Sequence, residues 1–218
     1  MKKIIIAALA VLAGLTAQAQ QNEKHPFTDG LRIQLNGGLV FNQAFKVVDG
    51  PLLYDSNNNP LLDKNGEQLR GDYKIQRAGN GLSPQVDLRV AKFFWDKWGH
   101  SEWGVGARYS GPLAKIESHS FGCHTIEAEA YWDLVQTFWY NSKPEHFECV
   151  PYFHMGYVFS EYGGDVTYGL GGWLGWRFDS GLGIHGELRM DKFGGNVADM
   201  TDAGIIALTA AAGISWKF

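Results

Sequence analysis

The chain has 218 residues, 45% of them hydrophobic and 19% charged, with a mean hydropathy of −0.20. That composition excludes intrinsic disorder and fits one domain or two small ones. A net charge of −4 gives no bulk attraction to nucleic acid, and no run of ~18 apolar residues exists to form a transmembrane helix. The 28 glycines are nearly twice the usual ~7% share, and aromatics reach 14%. With few cysteines and prolines, this mixture points to many short strands.

The first nineteen residues read as a secretory signal peptide. Lys2 and Lys3 form a basic start, Ile4 to Ala17 an apolar core of 14 residues, and Ala17-Gln18-Ala19 a cleavage site. The apolar core is too short to span the ~30 Å of a bilayer. No Cys follows the site, so no lipid anchor is expected there. Cleavage after Ala19 leaves 199 residues with a net charge of −6. Residues 20–30 are then a short periplasmic segment, and 31–218 form the folded domain.

From Leu31 onward the chain alternates with period two, the signature of strands with one apolar face. Leu31, Ile33, Leu35, Leu39 and Phe41 lie opposite Arg32, Gln34 and Asn36. In the run Pro84 to Trp95, Val86, Leu88 and Val90 oppose Asp87 and Arg89. Trp103, Val105, Ala107 and Tyr109 oppose Gly104, Gly106, Arg108 and Ser110. From Thr125 to Gln136, Ile126, Ala128, Ala130, Trp132 and Leu134 oppose Glu127, Glu129 and Asp133. A fifth run, Glu148 to Phe159, has no clear facing. From Tyr168 to Phe178, Tyr168, Leu170, Leu174, Trp176 and Phe178 oppose Gly169, Gly171 and Arg177. Leu182, Ile184, Leu188 and Met190 oppose His185, Glu187, Arg189 and Asp191. In the last run, Gly204 to Phe218, Ile206, Leu208, Ile214, Trp216 and Phe218 oppose Thr209, Ser215 and Lys217.

Eight strands of about ten residues or more match the length that crosses a bilayer at a tilt, and an even count closes an antiparallel ring. A soluble sandwich produces the same alternation, so periodicity does not decide between them. Three features favour an all-β, eight-stranded antiparallel transmembrane β-barrel. The signal peptide exports the chain. The polar face carries small residues (Gly104, Gly106, Gly169, Gly171, Gly213) that suit a narrow lumen. Trp95, Trp98, Trp103, Trp139, Trp176 and Trp216 fall at one end as an aromatic girdle, and Tyr109, Tyr157, Tyr162 and Tyr168 gather towards the other. Connections 96–102, 141–147 and Asp179-Ser180-Gly181 are short on the Trp side, whereas Asn42 to Leu82 spans 41 residues on the other. The short link at Glu161 to Asp165 departs from that asymmetry.

The chain ends Ile214-Ser215-Trp216-Lys217-Phe218, with a terminal Phe and alternate apolar residues. This ending resembles the C-terminal assembly signal of outer-membrane β-barrels, carried here by Trp216 and Phe218. The layout of 30–218 resembles the small eight-stranded barrels of the OmpA and OmpX kind, within the broad outer membrane protein beta-barrel domain family. The resemblance implies an integral outer-membrane location and recognition by the barrel assembly machinery. It implies no catalytic residue, and no peptidoglycan-binding domain is expected after the barrel.

Several motifs have simpler readings. Gly181-Leu-Gly183-Ile-His-Gly186 matches a dinucleotide fingerprint but opens a strand with no helix after it, so a turn plus small lumen residues is expected. Asp55-Ser-Asn57-Asn-Asn59-Pro60 begins like a calcium loop, but Pro60 and Gly66 replace the Gly and Glu that such a loop requires. Polar β-turns are expected there, with Asn65-Gly66 a hairpin signal extending a strand pair beyond the membrane. Cys123 and Cys149 fall at opposite ends of their strands and are expected as free thiols. His119, Cys123, His124, His146 and Cys149 have no zinc spacing. No metal and no cofactor are expected.

The inward charges are Arg32, Asp87, Arg89, Arg108, Glu127, Glu129, Asp133, Arg177, His185, Glu187, Arg189 and Asp191. Charges in a narrow interior persist when paired, so a salt-bridged plug is expected. The function that follows is a non-enzymatic barrel with a structural or surface-interaction role, adhesion included, through its extracellular loops. A narrow porin-like pore is one alternative. A barrel enzyme acting on lipid A or phospholipid is another; His185 and Glu187 share a face and Ser110 lies on the lumen face, but no triad spacing commits to it. Expected partners are outer-membrane lipids, lipopolysaccharide and the assembly machinery, with no nucleic acid, for a monomer.

Overall fold

The structure, a computed structural model, describes residues 30–48, 50–72, 74–94, 103–116, 119–139, 146–194 and 204–218. The signal peptide, nearly all of the segment 20–30, and Trp95 and Trp98 lie outside the described residues.

Eight strands form: β1 (Leu31–Val48), β2 (Lys74–Phe94), β3 (Trp103–Ile116), β4 (His119–Trp132), β5 (Phe147–Ser160), β6 (Gly164–Arg177), β7 (Leu182–Phe193) and β8 (Gly204–Lys217). Each pairs antiparallel with its chain neighbour, and β8 closes on β1, with Leu35 opposite Ile214. Closure leaves no open edge, so every strand has a partner on both sides. The expected eight-stranded antiparallel barrel is the observed one.

Register sets the facing. On β7, Leu188 is 71% exposed on the outside while Glu187 beside it is 2% exposed in the lumen. Ile33, Leu35 and Leu39 on β1, Leu170 and Leu174 on β6, and Leu208 and Ile214 on β8 are likewise exposed. The barrel therefore inverts the usual soluble pattern: its apolar band is outside and its charges are inside.

Several boundaries differ from the sequence expectation: β3 runs on to Ile116, β4 starts at His119 and β6 at Gly164. β1 and β2 stay paired out to Val48 and Lys74, so the long connection shrinks to residues 49–73. β4 stops at Trp132, and a one-turn helix α1 (Leu134–Phe138) follows instead of further strand. The Asp133 side chain accepts from the amides of Val135 (3.0 Å) and Gln136 (3.1 Å), which caps that turn. Leu134 is therefore off the strand. Facing also differs at one glycine: Gly186 lies on the outer face, and among the glycines of that motif only Gly183 faces in, two residues before the inward His185.

Residues 50–72 fold on themselves beyond the β1–β2 pair. Leu53, Leu61 and Leu69, eight residues apart, close a ring of backbone bonds: Leu53 donates to Leu69 (2.9 Å), Leu69 to Leu61 (2.7 Å) and Leu61 to Leu53 (3.0 Å). Two turns project from the ring. Asp55 Oδ1 accepts from the amides of Asn57 and Asn59, and Asp63 Oδ1 from those of Asn65 and Glu67. Asn58 (φ 62°) and Gly66 (φ 84°) take the left-handed conformation such turns need. The Asn59 bonds hold the Asp55 carboxyl below its usual range. Both acidic side chains are thus turn acceptors.

Candidate functional site: the charged lumen

The lumen is layered. Nearest the chain termini lies an aromatic layer of Phe93, Tyr131, Tyr152 and Trp173 with Val150 and Ala91. Tyr131 stacks on Phe93 (5.6 Å between centroids) and meets Trp173 edge-on (5.3 Å). Val40, Ala44, Cys123, Val158, Phe193, Ile205 and Ala207 form an apolar layer near the opposite end. Most of the charges occupy the space between, while Arg32, Glu148 and Arg177 lie towards the termini.

Arg89 sits at the centre and is fully buried. Its guanidinium grips Glu129 of β4 (2.6 and 3.1 Å) and Glu187 of β7 (2.9 and 3.1 Å), and also donates to Gln34 (2.8 Å). Its flat face lies over Tyr152 (4.7 Å) and Trp173 (5.1 Å). Such planar bidentate pairing is what a guanidinium does best. Tyr131 and Tyr152 donate their hydroxyls to Glu129 and Glu187, so the aromatic layer is tied to the charged one.

Arg108 pairs with Glu127 (2.8 Å through Nε) and reaches Asp191 at 3.4 Å. Arg189 donates to Asp191 (2.9 Å), Asp87 (3.0 Å) and Gln85 (2.9 Å). Towards the termini, Arg32 pairs with Glu148 and donates to Ser215 (2.9 Å), while Arg177, less buried, reaches Glu148 at 3.4 Å. His185 Nε2 meets Asn36 Oδ1 at 2.7 Å. Of the twelve residues anticipated from sequence, Asp133 alone is turned to another use, as the helix cap. Its carboxyl is pushed up to about 6, chiefly by burial, against the lowering effect of the amides it accepts from.

The central ion pairs join Asp87, Glu127, Glu129, Glu187 and Asp191 to Arg89, Arg108 and Arg189. Five carboxylates face three guanidiniums, an excess of two negative charges within this set.

Sequence reasoning missed the contribution of β5. Glu148, Tyr152 and His154 all face the lumen, with His154 fully buried. The signal was parity: Glu148 and His154 are six residues apart and so share a face. Trp173 was missed for another reason, since an aromatic on a glycine-lined face looks out of place. The glycines are what admit the large rings. A Cβ on Gly106 would meet the Tyr131 hydroxyl at 2.7 Å, and one on Gly169 would meet His154 Nε2 at 2.6 Å.

The outer wall carries the aromatics. Trp103, Trp139, Trp176 and Trp216 are exposed at the end that holds the chain termini, and Trp103 stacks flat on Trp132 at 5.3 Å. Phe218 is exposed beside Trp216 (6.4 Å). Tyr109, Tyr157, Tyr162 and Tyr168 are exposed towards the other end. Both cysteines are free.

No protein-family model and no curated protein matches the chain. Among solved structures, the fold is similar to Neisserial surface protein A, at 12% identity over 87% of this chain and 98% of that one (TM-score 0.49). It is similar to Ail, the attachment invasion locus protein of Yersinia pestis, at 12% identity over 87% and 99% (0.38). It is also similar to OprG from Pseudomonas aeruginosa, at 12% identity over 88% and 97% (0.40).

Proposed function

We propose that this chain is an integral outer-membrane β-barrel protein, exported through the signal peptide at 1–19, with a lumen closed by a salt-bridged plug. Its role is structural or surface-interacting, through the segments beyond the strands, the folded tip at 50–72 among them. One observation carries the reading: a closed ring of strands whose apolar side chains face out and whose charges face in. In water that arrangement exposes a continuous apolar band far larger than soluble monomers tolerate; in a bilayer the band meets lipid. The two aromatic levels fit headgroup regions.

The layers inside the barrel support a plug over a pore. Arg89 bridges opposite walls, and a buried apolar layer around Val40 and Phe193 lies towards the other end. The enzymatic alternative gains no support. Ser110 is buried in the lumen, and its hydroxyl has no partner among the described residues. His185 is engaged by Asn36. A nucleophile and base serving a membrane lipid need to reach the lipid face.

Fractionation tests the proposal. The protein should stay with the outer membrane through a carbonate wash, show heat-modifiable gel mobility, and begin at Gln20. Recovery in the soluble periplasmic fraction would overturn it. Stable conductance steps in planar bilayers would overturn the plug while leaving the barrel intact.

A further inference from the structure

We infer that a furrow on the outer wall, crossing β7, β8 and β1, holds one acyl chain of a membrane phospholipid; the inference rests on the outer-membrane reading above. Strand register lays the outward side chains in rows across the ring. One row reads Trp176, Ile184, Ile214, Leu35. The next, two residues along each strand, reads Leu174, Gly186, Ala212, Gly37, and the one beyond Gly172, Leu188, Ala210, Leu39. The middle row therefore has a floor of almost bare backbone over three strands, ~10 Å long at the usual strand spacing. Ile184, Ile214 and Leu35 wall one side, Leu188 and Leu39 the other, and Leu174 closes an end; all six are exposed.

Space and sequence both point to an occupant. The recess over Gly186 and Ala212 measures about 710 Å³, within the ~300–1,000 Å³ of small-molecule sites. Its outward-facing edges are Phe147, Leu174, Trp176, Ile184 and Ile214, all apolar or aromatic. The fold itself does not require glycine at 37 or 186. Neither Gly37 nor Gly186 takes a positive φ, and nothing lies within 4 Å of a Cβ on either. Glycine inside a strand weakens it and offers no side chain to pack. The lumen glycines Gly106 and Gly169 make room for Tyr131 and His154. Gly37 and Gly186 make room for something outside the chain.

The position of the furrow decides what fills it. It opens beside Trp176 and Phe147, at the aromatic level that suits a headgroup region, and runs into the apolar band at Gly186. A phospholipid has the same order, polar head and then hydrocarbon. The walls belong to the lipid-facing band, so the furrow is continuous with that interface. A second copy of the barrel would bring a convex wall, which meets the ridges at Ile184 and Leu188 and leaves the floor unfilled. A single hydrocarbon chain is narrow and flexible enough to reach the floor, where each methylene gains contacts on several sides.

The test is native mass spectrometry of the full mature chain, refolded into vesicles of phosphatidylethanolamine and phosphatidylglycerol and released in a mild non-ionic detergent. The expected result is one phospholipid retained per chain. The double change Gly186→Leu, Ala212→Leu, checked for folding by heat-modifiable mobility, should retain it at least about tenfold less well. Ala128→Leu, on the outer face of β4, should retain it as the native chain does. Should the double variant not fold, the native chain gives a second readout. A phospholipid with a diazirine at the end of one acyl chain, photolysed in the same vesicles, should label β7 and β8 in preference to β3 and β4. No lipid on the folded native chain, unchanged retention in the folded double variant, labelling spread evenly around the ring, or a dimer in place of the lipid would overturn the site. Each of these outcomes leaves the barrel intact, whereas recovery in the soluble periplasmic fraction would remove the membrane reading itself.

Discussion

Arg89 on β2 holds Glu187 on β7 across the lumen, with Nη1 2.9 Å from Oε2 and Nη2 3.1 Å from Oε1. The two residues are separated by 98 positions in the chain, so the pair forms only when the ring is closed. It ties opposite walls together, and the same guanidinium holds Glu129.

Removing that guanidinium should be severe. Arg89→Met takes the nearest cation from the buried Glu129 and Glu187, leaving them only the longer contacts to Arg108 (3.4 Å) and Arg189 (3.3 Å), and breaking a buried pair in this way costs ~3–5 kcal/mol. Urea unfolding of the refolded barrel, followed by tryptophan fluorescence, measures it. The triple change Arg89→Met, Glu129→Gln, Glu187→Gln should recover much of the loss, because the orphaned charges are gone.

Leu188 and Leu62 are both exposed apolar residues, at 71% and 55%. Leu188 lies midway along β7, and Leu62 lies in the tip beyond the strands. In bilayers, Leu188→Arg should cost ~2–4 kcal/mol. Leu62→Arg should stay within about 0.5 kcal/mol. Equal effects in lipid vesicles would contradict the placement of the apolar band.

Gly169 and Gly186 separate the two faces by volume. A methyl group at Gly169 meets His154 Nε2 at 2.6 Å and the Met190 carbonyl, so Gly169→Ala should destabilise by ~1–3 kcal/mol. Nothing lies within 4 Å of a Cβ on outward-facing Gly186. Gly186→Ala should be neutral or stabilising by up to ~1 kcal/mol. Denaturant midpoints of the two variants make the comparison.

Asp133 gives a pH signature outside the strands. Its carboxyl is raised to about 6 in the folded chain, mainly by burial. An unfolded Asp titrates near 3.9. The folded state therefore binds the proton more tightly, and its contribution to stability falls as pH rises from about 4 through 6. Asn caps a helix as well as Asp does. Asp133→Asn should keep α1, remove that fall, and be the more stable form at pH 8 by on the order of 2 kcal/mol. Denaturant midpoints at pH 4, 6 and 8 report it.

Much of the fold was legible because strand parity is rigid: once Arg32, Asp87 or Glu187 is placed inside, every second residue follows. Legibility failed where polarity stopped marking the face. In β5, Val150, Tyr152 and Val158 are inside while Phe153, Met155 and Tyr157 are outside, so both faces read as apolar. That concealed His154, and with it the cluster joining Glu127 to Asp191. The apolar layer was hidden likewise, since Val40, Ala44 and Ile205 face inward among residues that look lipid-facing. At the end of β4, Leu134 and Gln136 continue the alternation by chance. The cue to the turn was Asp133, a cap residue placed before residues that can be helical.

The most direct measurement is quenching by brominated phospholipid of single-tryptophan variants refolded into bilayers. One retains Trp216, which is 45% exposed on the outer wall; the other retains Trp173, which is 1% exposed in the lumen. Bromine quenches on near contact. The account predicts strong quenching of Trp216 and almost none of Trp173. Equal quenching of both, or quenching of neither, would contradict a barrel that turns its apolar face to lipid and fills its interior with charge.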